Sequence, residues 1–380
     1  MATAARWLQR ARPAHDTAAV LDGAPPAGAD DQPTIVFDDP IVDGPTDAVA
    51  TATSAAPLPI GSLLVVGGQQ RKPRGMQELG DAWYGYGTGL VLAVDDEHVE
   101  AVCSYVSPPG TCLPTDPILF KSATYRDGLL YACTQTEVLV LSVPGFEVLH
   151  HISLPIFNDV HHVVPTGRGT MLVANSGLEM VVEIDVDGRV HGVHNVLGED
   201  PWAHVDPSID HRCGVDLKPH RAHPNHVFFV GDEPFATRFE CRDAISLVDP
   251  ERRIDIGTER VHDGVVVGDR IHFTTVDGYV VIADAADLQV IERVKLTSPL
   301  GDDAVLGWCR GLTITDDHAW VGFSRIRATR FRQTLSWVRA GTTRFCPTRI
   351  ARYRLPDWTL DVEIDLEPYG LNAVFTVVER

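Results

Sequence analysis

VLVLSVPGFEVLHHISLP (138–155), YVVIADAADLQVIERVKLT (279–297) and RIARYRLPDWTLDVEIDLE (349–367) share one grammar. Each is an apolar strand, a tight turn carrying Pro or Asp, and a second, alternating strand. VVEIDVDGRVHGVHNV (181–196) and AISLVDPERRIDIG (244–257) are shorter versions. A second repeated pair of strands precedes most of them: KSATYRDGLLYACTQT (121–136), HHVVPTGRGTMLVANS (161–176), NHVFFVGDEPFATRF (225–239), HDGVVVGDRIHFTTVDG (262–278) and RGLTITDDHAWVGFSR (310–325). The turns GRG, GDE, GDR and TDDH fall at matching places. No stretch sustains a 3.6-residue apolar period, so the body reads as all-β.

Two hairpins per repeat make a four-stranded unit, and units repeated in this way stack into arrays or close into rings. Closure removes the exposed sheet edges a linear array would leave. The chain therefore reads as a single β-propeller, most simply of six blades, with five to seven compatible with the repeats. Residues 61–105 supply one blade, closed by the C-terminal strand Leu371–Glu379. The propeller spans 59–380. Residues 1–58, rich in Ala, Pro, Asp and Thr, read as a disordered or loosely attached leader with a short helix near Ala5–Arg12.

The repeated outer hairpin resembles that of propellers of the YVTN, SMP-30 and streptogramin-lyase type. The lyases of that group use a histidine base with Mg²⁺ to open a lactone by elimination; their catalytic motif has no residue-by-residue match here, and His262, followed by Asp263, is the candidate base on its own chemistry. SMP-30-like lactonases arrange Glu, Asn and Asp around a metal. The carotenoid oxygenases, also propellers, hold iron with four histidines from different blades, and this chain is similar to them in architecture only.

Composition narrows the function classes. Asp and Glu outnumber Lys and Arg by 52 to 32, for a net charge of −20, which argues against bulk attraction to nucleic acid or an anionic membrane. No run of 18 apolar residues occurs, as a spanning helix would need, and MATAARWLQRARPAHD lacks the apolar region of a secretory signal. The cysteines are odd in number, seven, with no CxxC pair. A reducing cytoplasm is the expectation, with neither a disulfide framework nor a cysteine zinc site.

In a propeller, loops leading into innermost strands and loops joining second to third strands emerge on one face. That rule places Asn158-Asp159-Val160-His161-His162, His223-Pro224-Asn225-His226, His262-Asp263 and Trp308-Cys309-Arg310 together. It adds the second-strand ends Asn175-Ser176, Thr237-Arg238, Thr274-Thr275 and Ser324-Arg325, then Arg327. The long insertions 198–220, 328–348 and 69–87 open on the same face, as functional loops tend to.

His162, His226 and His262 fall at equivalent depths in consecutive repeats, so the sequence predicts a divalent metal held by them, with His223 and His161 in reserve. Neutral imidazole suits Zn, Fe, Ni or Cu; Fe or Zn is the expected ion, with Cu, Mn or Mg as alternatives, and Asp159, Asn225 and Asp263 would orient the rings. Equally, each histidine can simply bond to backbone or a carboxylate. His262, Asp263 and His161 are the catalytic candidates. Arg238, Arg310 and Arg325, with Asn175 and Thr274, are candidates for holding a carboxylate or phosphate, although each arginine can instead pair with a neighbouring carboxylate. Trp202, Trp308 and Trp337 could wall an organic molecule. The expectation is a metal-dependent lyase, hydrolase or oxygenase acting on a small organic anion. A non-catalytic propeller that holds a peptide or protein on the same face is the alternative.

Overall fold

The computed structural model describes residues 50–52, 62–71, 85–95, 98–113, 116–213, 219–257, 259–299, 301, 305–325 and 346–380. Among them six sheets form the blades of a propeller. Blade two consists of Ser122–Arg126, Leu129–Cys133, Val138–Ser142 and Val148–Ile152. Blade three is Val160–Pro165, Thr170–Asn175, Met180–Asp185 and Val190–Asn195, and blade four is Pro224–Val230, Glu233–Arg238, Asp243–Ser246 and Arg253–Asp255. Blade five is Val265–Val267, Arg270–Thr274, Tyr279–Asp284 and Val290–Lys295; blade six is Trp308–Ile314, His318–Ser324, Arg349–Arg354 and Thr359–Asp365. All neighbours pair antiparallel in chain order.

Blade one joins the two ends of the chain. Its innermost strand is Ala373–Glu379, which pairs with Leu63–Gln70 in the register Leu64↔Val378 and Val65↔Val377. Tyr86–Val94 and Val99–Tyr105 follow outward. Within the segment read as a leader, Ala50–Ala52 adds a fifth strand against Cys103–Tyr105. The expected helix near Ala5–Arg12 and the rest of 1–49 lie outside the described residues, as do Arg327, Trp337 and most of the insertions 69–87 and 328–348.

The core lies in the gaps between blades. Phe228 and Phe235 of blade four meet Ile271 and Phe273 of blade five. Leu312, Val321 and Tyr353 of blade six pack with Val280 and Ile282 of blade five. Both faces of each sheet are covered, so runs such as Val138–Leu141 are buried throughout rather than alternating.

The repeated outer hairpin has a device that the sequence reading did not anticipate. Phe146, Leu288 and Trp358 sit at φ of +50°, +62° and +55°, yet their side chains are buried. Phe146 and Leu288 close a one-turn bend by donating to the carbonyls of Ser142 and Asp284 at 2.7 and 2.9 Å. A left-handed residue costs about 1–2 kcal/mol, and burying a large apolar side chain returns about 1.5–3 kcal/mol. The turn is held by what it buries.

Candidate functional site

Every innermost strand delivers a residue to one central cavity. Its walls are Lys121 and Ser122 of blade two, His161 of blade three, Asn225 and His226 of blade four, His262 and Asp263 leading into blade five, Arg310 of blade six and Phe375 of blade one. The register shows why they meet. His162 lies opposite Ala174, His226 opposite Thr237 and Trp308 opposite Ser324, so starts of first strands adjoin ends of second strands on one face. The cavity is about 20 Å³, room for about one water, a small ion or the reacting end of a larger molecule.

Two imidazoles of this ring have fixed tautomers. A carbonyl can only accept, so His262 Nδ1–H donates to the Cys309 carbonyl at 3.0 Å and His161 Nδ1–H donates to that of Asp159 at 2.8 Å. In each ring Nε2 keeps its lone pair. Burial holds both well below the usual histidine range, reinforced at His262 by Arg310 and at His161 by Lys121, so both are neutral. Asp263 accepts from the Gly311 amide at 3.0 Å and from the Thr274 hydroxyl. Burial outweighs these bonds and the nearby Arg310, and pushes its carboxyl up to about 6. Gly311 has to be glycine: its φ is +79°, and a Cβ would meet the Thr376 backbone at 3.1 Å.

The cations differ in their commitments. Arg310 lies with Cζ 3.9 Å above the Phe375 ring; burial lowers its guanidinium to about 10, which leaves it charged at neutral pH. Lys121, which the sequence reading did not single out, forms a buried ion pair with Asp159 and lines the cavity. Arg238, expected to take substrate, instead forks onto Asp243 at 2.8 and 2.5 Å and donates to the Val196 carbonyl at 2.9 Å. Arg325 likewise forks onto Glu367 at 2.7 and 2.5 Å. Both guanidinium forks face carboxylates of their own blade. Asn175 is also absorbed by the fold, accepting from the Asn158 amide and donating to the Ile156 carbonyl, both at 2.8 Å. Thr274 orients Asp263 rather than facing the cavity.

The structure does not bring His162, His226 and His262 to a common point. His162 and His226 are stacked, with centroids 3.7 Å apart and planes at 27°. Lone pairs lie in the ring plane, so stacked rings aim theirs side by side. His162 Nδ1 also accepts from the Val227 amide at 3.2 Å, which fixes its proton on Nε2, 3.4 Å from the Thr124 hydroxyl. His262 is separated from His223 by the Phe239 ring, whose centroid is 5.2 Å from one and 5.6 Å from the other. Among the described residues, the side chains whose donor atoms gather within 4.8 Å are Asp159, His220 and His223. His220 escaped notice because it lies at the end of the 198–220 insertion, outside every repeat.

No protein-family model matches the chain, and no curated protein matches it. Among solved structures it is similar to a protein of unknown function from Bacteroides caccae, at 11% identity and a TM-score of 0.54, over 84% of this chain and 98% of that one. A putative 6-phosphogluconolactonase from Bacteroides uniformis aligns at 13% identity and a TM-score of 0.45, over 79% and 81% of the two chains. A virginiamycin B lyase from Staphylococcus aureus aligns at 10% identity and a TM-score of 0.40, over 66% and 72%. No helix among the described residues is long and apolar enough to cross a membrane. At these identities the likeness is one of fold, and the fold is a six-bladed β-propeller.

Proposed function

We propose that the central cavity is the active site of an enzyme that acts on a small organic anion, a carboxylate or phosphate ester, by general acid–base chemistry. One observation carries the reading: residues on or just before all six innermost strands bring their side chains to one small cavity, and these include three neutral imidazoles, a carboxyl and two cations. Packing alone needs no such convergence. Lys121 and Arg310 take the negative charge. The Nε2 of His262 accepts or returns a proton, and Asp263 and His161 are the further proton-transfer groups within the same walls. Phe375, beneath the guanidinium, fixes where the anion sits. Hydrolysis and elimination both need these parts. A peptide-holding face is less well served, because the lining is buried and polar rather than an open apolar groove.

Anion titration followed by an ester panel tests the reading. Inorganic phosphate and acetate are expected to raise the melting temperature of the wild type and to lose that effect at least tenfold in Arg310→Gln. Nitrophenyl carboxylate esters, nitrophenyl phosphates and small lactones are then compared between wild type and His262→Gln, with a fall of at least a hundredfold expected on any substrate turned over. Equal anion binding in Arg310→Gln, or turnover unchanged in His262→Gln, would remove the proposal.

A further inference from the structure

We infer that Asp159, His220 and His223 form a divalent transition-metal site beside the cavity, holding zinc or ferrous iron. The donor atoms of the three already lie within 4.8 Å of one another. In a tetrahedral zinc site, bonds of about 2.0–2.1 Å place ligand atoms about 3.3 Å apart, so a closing movement of about an ångström or so suffices. Two imidazoles and one carboxylate, with remaining positions open to water, is a donor set suited to both ions.

The second observation is independent of the clustering. The His220 side chain is only 7% exposed, yet its Nε2 has no hydrogen-bond partner, and His223 Nδ1 has none either. Buried polar atoms in folded proteins are almost always paired, and each orphan costs about 1–3 kcal/mol. Two such nitrogens on adjoining rings, with centroids 4.6 Å apart, are groups set for an acceptor of lone pairs. Burial holds His223 down to about 4, so its lone pair is available at neutral pH. Burial alone would raise Asp159, but the Lys121 ammonium beside it outweighs that and holds the carboxyl well below its usual range. Lys121 engages Oδ1 from the cavity side, leaving Oδ2 for the ion.

The surroundings hold this geometry. Glu179 accepts from the amides of Arg221, Ala222 and His223 at 2.6, 3.1 and 2.7 Å and stands 3.5 Å from His220 Nδ1. That carboxylate fixes the segment bearing both histidines and serves as the outer partner that ligating imidazoles usually have. Glu179 also lines a second pocket of about 190 Å³, with Glu199, Asp200, His204 and Arg221. On the other side, His161 packs edge-on against His223 at 4.7 Å and faces the central cavity. A bound ion would tie the 198–220 insertion to blade three and place a Lewis acid one ring away from the proposed reaction space.

The inference stands apart from the proposed enzyme function, because metal binding and anion binding are read separately. The test uses full-length, untagged protein stripped with chelator and then titrated with Zn²⁺ or Co²⁺. One equivalent is expected, with micromolar or tighter affinity, a rise in melting temperature with zinc, and visible d–d bands of a low-coordinate Co²⁺ site. His220→Gln and His223→Gln are expected to weaken uptake at least a hundredfold, whereas His262→Gln retains it. Circular dichroism checks that each variant folds. The wild-type cobalt spectrum decides the matter should both variants fail to fold, since absence of the bands overturns the inference. Uptake unchanged in folded His220→Gln, or lost in His262→Gln instead, overturns it as well.

Discussion

The imidazole of His162 lies flat against that of His226, 3.7 Å between centroids, and its Nδ1 accepts the Val227 amide of the neighbouring blade. This pair links blade three to blade four. His162→Ala strands a buried amide and leaves a hole, so it is expected to destabilise the fold by about 2–4 kcal/mol. His162→Gln, whose amide oxygen can accept, is expected to recover part of the loss. Urea midpoints measure both, and an unshifted midpoint in the alanine variant would show that the stack contributes nothing.

Arg238 and Arg325 make the same fork in different surroundings. Asp243, the partner of Arg238, is 2% exposed, whereas Arg325 itself is 43% exposed. Arg238→Ala leaves a buried carboxylate uncompensated and is expected to cost about 3–5 kcal/mol. Arg325→Ala is expected to cost less than about 1 kcal/mol. Phosphate affinity, followed by calorimetry, is expected to stay unchanged in both. A tenfold loss in either would return that arginine to the substrate.

Asp263 makes stability depend on pH in a definite direction. Burial raises its carboxyl from 3.8 to about 6, so between those values the folded chain holds a proton that the unfolded chain has released. Its contribution is complete below 3.8, falls as pH rises, and is gone above 6, a change of about 3 kcal/mol. Asp263→Asn is expected to abolish this slope. Denaturant titrations at pH 4, 5, 6 and 7 compare the two proteins, and parallel curves would contradict the assignment.

The short strand Ala50–Ala52 covers the outer edge of blade one. Deleting residues 1–49 keeps that strand, and deleting 1–52 removes it. The shorter deletion is expected to leave the melting temperature within a few degrees of the full chain. The longer one bares the Val99–Tyr105 edge, so it is expected to promote concentration-dependent self-association, visible by light scattering. Equal behaviour of the two truncations would mean the strand protects nothing.

The ring was legible because its signal is repetition. A hairpin repeated five times, with a C-terminal strand left over, allows few other closures, and Ala373–Glu379 takes the expected place. Much of the site was legible too. The copies that begin at Lys121, His161, Asn225, His262 and Arg310 start with the very residues that line the cavity. Of that first column the sequence singles out His161, His262 and Arg310, while it places the metal partly on His162 and His226, one position further on. Which of two adjacent residues faces the cavity depends on β-bulges at Ala174/Asn175 and Pro224/His226, and a one-residue slip exchanges the faces of a strand. Bulges of this kind leave no clear mark in composition. The engagement of Arg238 with Asp243 was hidden for a different reason: a fork five residues away along the chain looks the same in sequence as a free one.

Phe375, the residue beneath Arg310, belongs to the strand that closes the ring. The cavity proposed to take the anion is therefore completed by the same strand that closes the ring. Until Ala373–Glu379 pairs with Leu63–Gln70, Arg310 lacks its aromatic floor. On the proposed reading, a lost response to phosphate then serves as a reporter of an unclosed ring.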